Sequence, residues 1–332
     1  MQSKGPAIWK DRLSRFFRWQ ASSIIAMLVI YAAFVACVNP VFISIDNIIN
    51  IFRSMGFPLM VVIGMTFVLI TGGLDLSVGS VLALGGIICG LSMSAGIPVP
   101  LSILIGVASG SLAGFFIGGI IVYTGIPPLI VTLGMQYVCR GIVQVLTKGA
   151  PIYPLPAGFN AIEPTKLFGV LPLIVVISLF IAAIGHVTLS HTVFGRSIYA
   201  IGGNEEAAKI SGIRIARTKI MVYVITSTLA ALCGVFVASR LGSSEAAAGT
   251  GFELKVICGA IIGGTSTFGG MGTILGATLG ALFMEIMTNS LTLMRISVYW
   301  QNLVFGIVLM ASVLLDQYKR KLILRQSVKA RN

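Results

Sequence analysis

Residues 72–86 read GGLDLSVGSVLALGG. Two glycines and an acid separate one apolar run from the next. The order returns 178 residues later, where residues 251–264 read GFELKVICGAIIGG. Asp75 then aligns with Glu253, Leu76 with Leu254 and Val78 with Val256, while Gly85 and Gly86 align with Gly263 and Gly264. A carboxylate placed after glycine and before an apolar helix accepts hydrogen bonds from the free N–H groups of the first turn, and the helix dipole favours its charge. Asp75 and Glu253 are therefore helix caps, or groups at the mouth of a broken helix on a permeation path. Ser77, beside Asp75, belongs to the same candidate set.

The surroundings decide which kind of helix this is. The chain has 332 residues, 56% hydrophobic and 10% charged, with a mean hydropathy of +0.99. Soluble domains carry about 25% charged residues. Apolar runs near 20 residues recur throughout, as a hydrocarbon core of about 30 Å requires. The reading is an all-α polytopic membrane protein with one transmembrane domain over residues 1–332. Ten spanning or partly spanning segments are expected, at 20–38, 54–71, 76–95, 99–124, 127–147, 169–190, 217–240, 254–268, 271–292 and 297–316, the eighth being short. The first run ends in Asn39-Pro40 without a small-residue cleavage site, unlike a cleavable signal.

Charge distribution sets the orientation. Of 23 Lys and Arg, 16 fall in three clusters: the tail 1–19, the loop 191–216 with adjoining Arg217 and Lys219, and the tail 317–332. Positive residues near span ends mark the cytoplasmic side, so both tails and that loop are placed inside. Six spans before the loop and four after satisfy the parity, and 148–168 faces outside. The third and eighth spans then run in opposite directions, the mark of an inverted internal repeat. The excess charge points to membrane lipid and not to nucleic acid. The five cysteines are scattered singly through apolar stretches and suggest neither disulfide nor metal site.

Gly106, Gly110, Gly114 and Gly118 recur every four residues, and so do Gly272, Gly276 and Gly280. Such stripes let helix backbones approach closely in lipid. Polar residues at membrane depth are expensive. Gln136, Arg140 and Gln144 share one helical face, as do Glu285 and Asn289, and Gln301-Asn302 follow Trp300. These residues either tie helices together or line a polar conduit.

Residues 202–213, GGNEEAAKISGI, place two of only ten acidic residues side by side in the basic loop. Asn204 suits an N-cap, Glu205 and Glu206 a first turn, Ala207 and Ala208 a helix interior, and Gly212 a left-handed C′ position. The stretch reads as a self-capped helix of about two turns. It is either a neat turn or a rigid docking knob for a cytosolic partner.

Glu206-Ala207-Ala208 followed by Gly212 resembles the EAA…G cytoplasmic loop of bacterial ABC-importer permeases. GMTFVLITGGLDLSVGS (64–80), TLGMQYVCRG (132–141), FGRSIYAIGGNEEAAKISGI (194–213), ASRLGSSEAAAGTGFELKVICGAIIGGTSTFGGMGTILGA (238–277) and YWQNLVFGIVLMASVLLDQYK (299–319) resemble more specifically the ribose-type sugar permeases. The resemblance implies a permease subunit of the bacterial inner membrane. It would pair with a second permease, identical or not, dock cytosolic ATPase domains on residues 204–212, and receive a monosaccharide from a periplasmic binding protein. Lys255 and Arg295 depart from the family's pattern. The chain has no Gly-Lys dipeptide and hence no phosphate loop, so ATP and Mg would bind a separate ATPase and this chain would need no cofactor. An ion-coupled secondary transporter of a small polar solute is the alternative. A membrane-embedded enzyme finds no metal-ligand or nucleophile–base pair to support it.

Overall fold

The computed structural model describes residues 24–167 and 169–329, without the side chains of Asn302, Leu315 and residues 319–329. The N-terminal basic tail, the side chains of the C-terminal basic cluster and the side chain of Asn302 lie outside the described set. The described fold is all-α apart from a two-residue strand pair, β1 (Lys166–Leu167) with β2 (Leu171–Pro172). Helices α1 (Ile24–Val38), α2 (Ile45–Ile70), α3 (Val78–Ser94), α4 (Val99–Thr124) and α5 (Pro128–Thr147) precede a short α6 (Ala157–Asn160). After α7 (Leu173–His191) come α8 (Val193–Gly203) and α9 (Glu205–Ile210), then α10 (Ile215–Leu241), α11 (Phe252–Ile262), α12 (Ile274–Leu293) and α13 (Val298–Lys329). Seven of the described helices are long and apolar enough to cross a membrane. With the shorter α1, α3 and α11 they are the ten expected segments.

Three boundaries differ from the sequence reading. Helix α2 starts at Ile45 and not near 54, because Ser44 caps it by accepting from the Asn47 N–H; the polar residues of its first turns hid the helix. Helix α11 is only 11 residues long. The loop 191–216 is mostly helical, since Thr192 caps α8 by accepting from the Gly195 N–H.

The bundle has two ends. At one, the Gly270 N–H donates to the Ile70 carbonyl at the close of α2, and Tyr199 of α8 donates to the Gly272 carbonyl at 2.7 Å. At the other, Ile152 and Ser244 exchange backbone hydrogen bonds, and Arg53 of α2 grips Glu163 through both carboxylate oxygens.

Helix α3 falls short of the first end. Gly85 on α3 lies level with Gly106 on α4, where an added Cβ at Gly106 would sit 2.7 Å from the Gly85 carbonyl oxygen. From Gly106, α4 runs on for about 27 Å, whereas α3 extends only about 10 Å below Gly85. Residues 71–77 bridge the difference. A second segment re-enters from the other end: Ser244 Oγ donates to the Gly86 carbonyl at 2.8 Å, and a Cβ on Gly79 would lie 2.2 Å from the Gly249 oxygen. Residues 244–251 thus run antiparallel along α3 for about 10 Å of helix, and α11 starts where α3 starts.

The glycine stripes make the close contacts expected. Cβ atoms at Gly110, Gly114 and Gly118 would meet α10 backbone at 2.6, 2.5 and 2.7 Å, and those at Gly276 and Gly280 would meet the carbonyls of Gly263, which caps α11, and Gly259 within it, at 2.1 and 1.9 Å. Gly272 is not part of its stripe; it precedes α12. The echo extends to packing, because Gly85 of α3 abuts Gly106 on α4 as its counterpart Gly263, just past α11, abuts Gly276 on α12.

Candidate functional site

Two constellations stand apart from the apolar core. The first is the helix pair α8–α9. Asn204 is extended (φ −162°, ψ 106°), and its Oδ1 accepts from the Ala207 N–H at 3.0 Å. At the other end Gly212 takes φ +79°. The Gly212 N–H donates to Lys209 O and the Ile213 N–H to Ala208 O, the paired bonds of a Schellman closure. Six residues are too few to be stable as an isolated helix; caps at both ends and tertiary contacts hold this one. Ala208 faces inward at 3% exposure, Glu206 is exposed, and Ile210 points outward at 87%.

The knob is anchored to the bundle. Glu205 accepts two hydrogen bonds from Lys219 on α10, at 2.8 and 2.7 Å. Gly202, just before the knob, is pressed against the end of α2, where an added Cβ would lie 1.7 Å from the Ile70 oxygen. Burial pushes the Tyr199 phenol up to about 12, so Tyr199 remains a donor to Gly272 across the physiological range. A cavity of about 310 Å³ separates α9 from the ends of α2 and α5, with Thr71, Glu205, Lys219 and Tyr223 in its walls.

The second constellation gathers where α3 and α11 begin. Asp75 is fully buried, and its Oδ1 accepts from the Ser77 N–H at 2.9 Å and Ser77 Oγ at 2.6 Å. This is an Asx turn that starts α3. Its other oxygen is buried without a partner. Glu253, in the first turn of α11, accepts from Gln136 Nε2 at 3.3 Å. One turn along α5, Arg140 donates to the carbonyls of Ala246, Ala248 (2.8 Å) and Gly79 (3.4 Å). It clamps the re-entrant segment to the first turn of α3, and its bonds run to backbone and not to a carboxylate. Gln144, on the same face, is exposed.

The remaining candidates lie elsewhere. Asn289 exchanges side-chain hydrogen bonds with Asn47 of α2, at 2.8 and 3.1 Å. Glu285 forms an ion pair with Lys255 of α11 at 2.6 Å. Lys255, the family departure, is therefore met by the acid at Glu285. These partners, like Arg53–Glu163, were missed because nothing local in the sequence joins residues 242, 30 and 110 positions apart. Asn302 lies on α13, with its side chain outside the described set.

Both pairs yield expected outcomes in the thermal-aggregation midpoint of the detergent-solubilised protein. Asn289→Leu leaves the buried Asn47 Oδ1 without its donor, while Asn47 Nδ2 keeps the Phe42 carbonyl, and costs about 1–3 kcal/mol. The double variant with Asn47→Leu should recover part of that loss; a fully additive double variant would contradict the pairing. Glu285→Gln leaves the Lys255 ammonium without its counter-ion at about 3 kcal/mol or more, whereas replacing both with methionine costs far less. Equal midpoints for Glu285→Gln and the methionine pair would contradict the ion pair.

The family described as "Branched-chain amino acid transport system / permease component" matches residues 47–313. The chain belongs to this permease family. The permease is 38% identical over 314 residues to the ribose import permease protein RbsC of Haemophilus influenzae, covering 92% of this chain and 95% of that one. It is 39% identical over 295 residues to RbsC of Bacillus subtilis, covering 88% and 91%. It is 35% identical over 306 residues to the autoinducer 2 import system permease protein LsrC of an Enterobacter species, covering 92% and 89%. No solved structure matches the permease.

Proposed function

We propose that the permease is the membrane-spanning subunit of an ATP-driven ABC importer and forms the path for a monosaccharide delivered by a periplasmic binding protein. The observation that carries this reading is α9: a rigid, doubly capped knob with an outward Ile210 and Glu206, fixed to α10 by Glu205–Lys219 and backed by α8. A knob of this kind needs a partner to push it, and a cytosolic ATPase holding ATP and Mg supplies the push. The end bearing α8 and α9 is then cytoplasmic, both termini lie on that side of the inner membrane, and 148–172 faces the binding protein. A second permease, identical or not, completes the path. Two of the three named relatives are ribose import permeases, which supports a neutral polyhydroxyl cargo.

In this reading closure of the ATPase moves α9, and Gly202 against Ile70 passes the motion to α2 and the 263–273 loop. The cluster at the α3 and α11 starts lies along the route. Asp75, Ser77, Gln136, Arg140 and Glu253 provide hydrogen-bonding groups, while Glu285 and Asn289 hold the walls through their own partners. The test is purification of the permease from its native membrane. The expected result is a co-purifying ATPase whose hydrolysis rises when the sugar-loaded binding protein is added. Solute uptake that proceeds on an ion gradient without ATP would instead establish a secondary transporter.

A further inference from the structure

The groove between α4 and α10 carries chemistry that neither the docking helix nor the polar cluster uses. It is a depression of about 810 Å³ on the outside of the bundle. Its walls are apolar, with Leu112 and Phe115 from α4 and Met221 from α10 all well exposed. At one end stand Tyr123, Arg214 and Arg217. The lining runs along α4 from Ala108 to Tyr123, about 22 Å of helix, which is more than one leaflet of a core about 30 Å thick. The groove is held open by its floor. Ser111 and Thr228 share a hydrogen bond of 2.7 Å, and Gly114 and Gly118 seat α4 on the α10 backbone.

The two arginines have no employment within the chain. Arg214 precedes the first turn of α10 without a side-chain cap bond, and Arg217 stands three residues on, on the same helical face. Both are exposed, and no carboxylate pairs with either among the described residues. Glu205, the acid at this end of α10, is already held by Lys219. Guanidinium groups match phosphate oxygens through paired hydrogen bonds. A tyrosine at the groove's end suits the membrane–water boundary. An apolar slot at least one leaflet deep that ends in two unpaired arginines and a phenol fits a ligand with a long acyl chain and a phosphate of net negative charge.

We propose that the α4–α10 groove is a binding site for one anionic phospholipid, its acyl chain against Leu112, Phe115 and Met221 and its phosphate between Arg214 and Arg217. The proposed orientation of the permease enters only in assigning the lipid to the inner leaflet. Native mass spectrometry of the full-length permease, titrated in neutral detergent with phosphatidylglycerol or phosphatidylcholine, tests the site. Two arginines near the surface correspond to a preference of roughly 30-fold for phosphatidylglycerol. The double variant Arg214→Gln/Arg217→Gln should bring the two lipids level. Met221→Trp, which fills the slot and keeps both arginines, should weaken retention of phosphatidylglycerol. Equal retention of the two lipids by the wild type, or a double variant with undiminished preference, overturns the proposal. A photo-crosslinker at Leu112 that captures a second copy of the chain in membranes also overturns it, since the face would then be an interface between chains. None of these readouts needs transport or ATP hydrolysis, so failure of the importer reading leaves the lipid test intact.

Discussion

Replacing Ala208 with proline leaves the permease at wild-type levels in the membrane and returns the ATP hydrolysis of its complex to the rate seen without sugar-loaded binding protein. Ala208 joins the two closures of α9. Its N–H donates to the Asn204 carbonyl at 3.0 Å, and its own carbonyl accepts from the Ile213 N–H at 3.1 Å. Proline removes the first bond and drives its ring against the preceding turn, at about 3 kcal/mol or more. A helix of six residues has no spare turn to absorb that. The site lies outside the spanning helices, so insertion and packing are spared. Glu206→Lys should act in the same direction more weakly, by placing a positive charge at the positive end of the helix dipole. Intact sugar-stimulated hydrolysis in an assembled Ala208→Pro complex would remove α9 from the coupling route.

Arg140→Leu should lower the amount of folded permease in the membrane several-fold, with Arg140→Lys intermediate. The guanidinium satisfies three carbonyls from two segments that are otherwise joined by the Ser244–Gly86 hydrogen bond and the close Gly79–Gly249 contact. Leucine leaves the carbonyls of Ala246 and Ala248 without that donor and removes a positive charge from the neighbourhood of Glu253, a combined cost of about 3 kcal/mol or more. Lysine keeps the charge but not the planar fork. Membrane levels measured by immunoblot and midpoints measured by thermal aggregation check the order wild type, lysine, leucine. Wild-type levels for both variants would show that the 244–251 segment holds its place without Arg140.

The parts of this arrangement that were legible are those built from neighbours in sequence. Asn204, the paired glutamates and Gly212 outline α9 because capping is local chemistry. The glycine stripe announces close packing along one face of α4, but not its partners, which are α3 at Gly106 and α10 at Gly110, Gly114 and Gly118. Helix α8 escaped notice: Val193–Gly203 mixes Arg196, Ser197 and Tyr199 with apolar residues over only three turns, and it merged with the basic loop around it. The true start of α2 was hidden by Asp46, Asn47, Asn50 and Arg53. Those residues look like a loop until Asn289 and Glu163 are seen to hold Asn47 and Arg53. Asp75 and Glu253 were read as caps or as groups at a broken-helix mouth. Asp75 is half satisfied by Ser77 and leaves one oxygen without a partner, and no local pattern could announce that the two helix starts converge.

The central claim is that the exposed tip of α9 is where an ATPase docks. A photo-crosslinking amino acid at Ile210, in otherwise wild-type permease in its native membrane, tests it directly, with Tyr153 at the opposite end of the bundle and 75% exposed as the control position. The account predicts a crosslink from Ile210 to a cytosolic ATPase subunit whose yield changes on adding ATP, and none from Tyr153. A crosslink to the ATPase from Tyr153, or none from Ile210 in a complex that hydrolyses ATP, would contradict it.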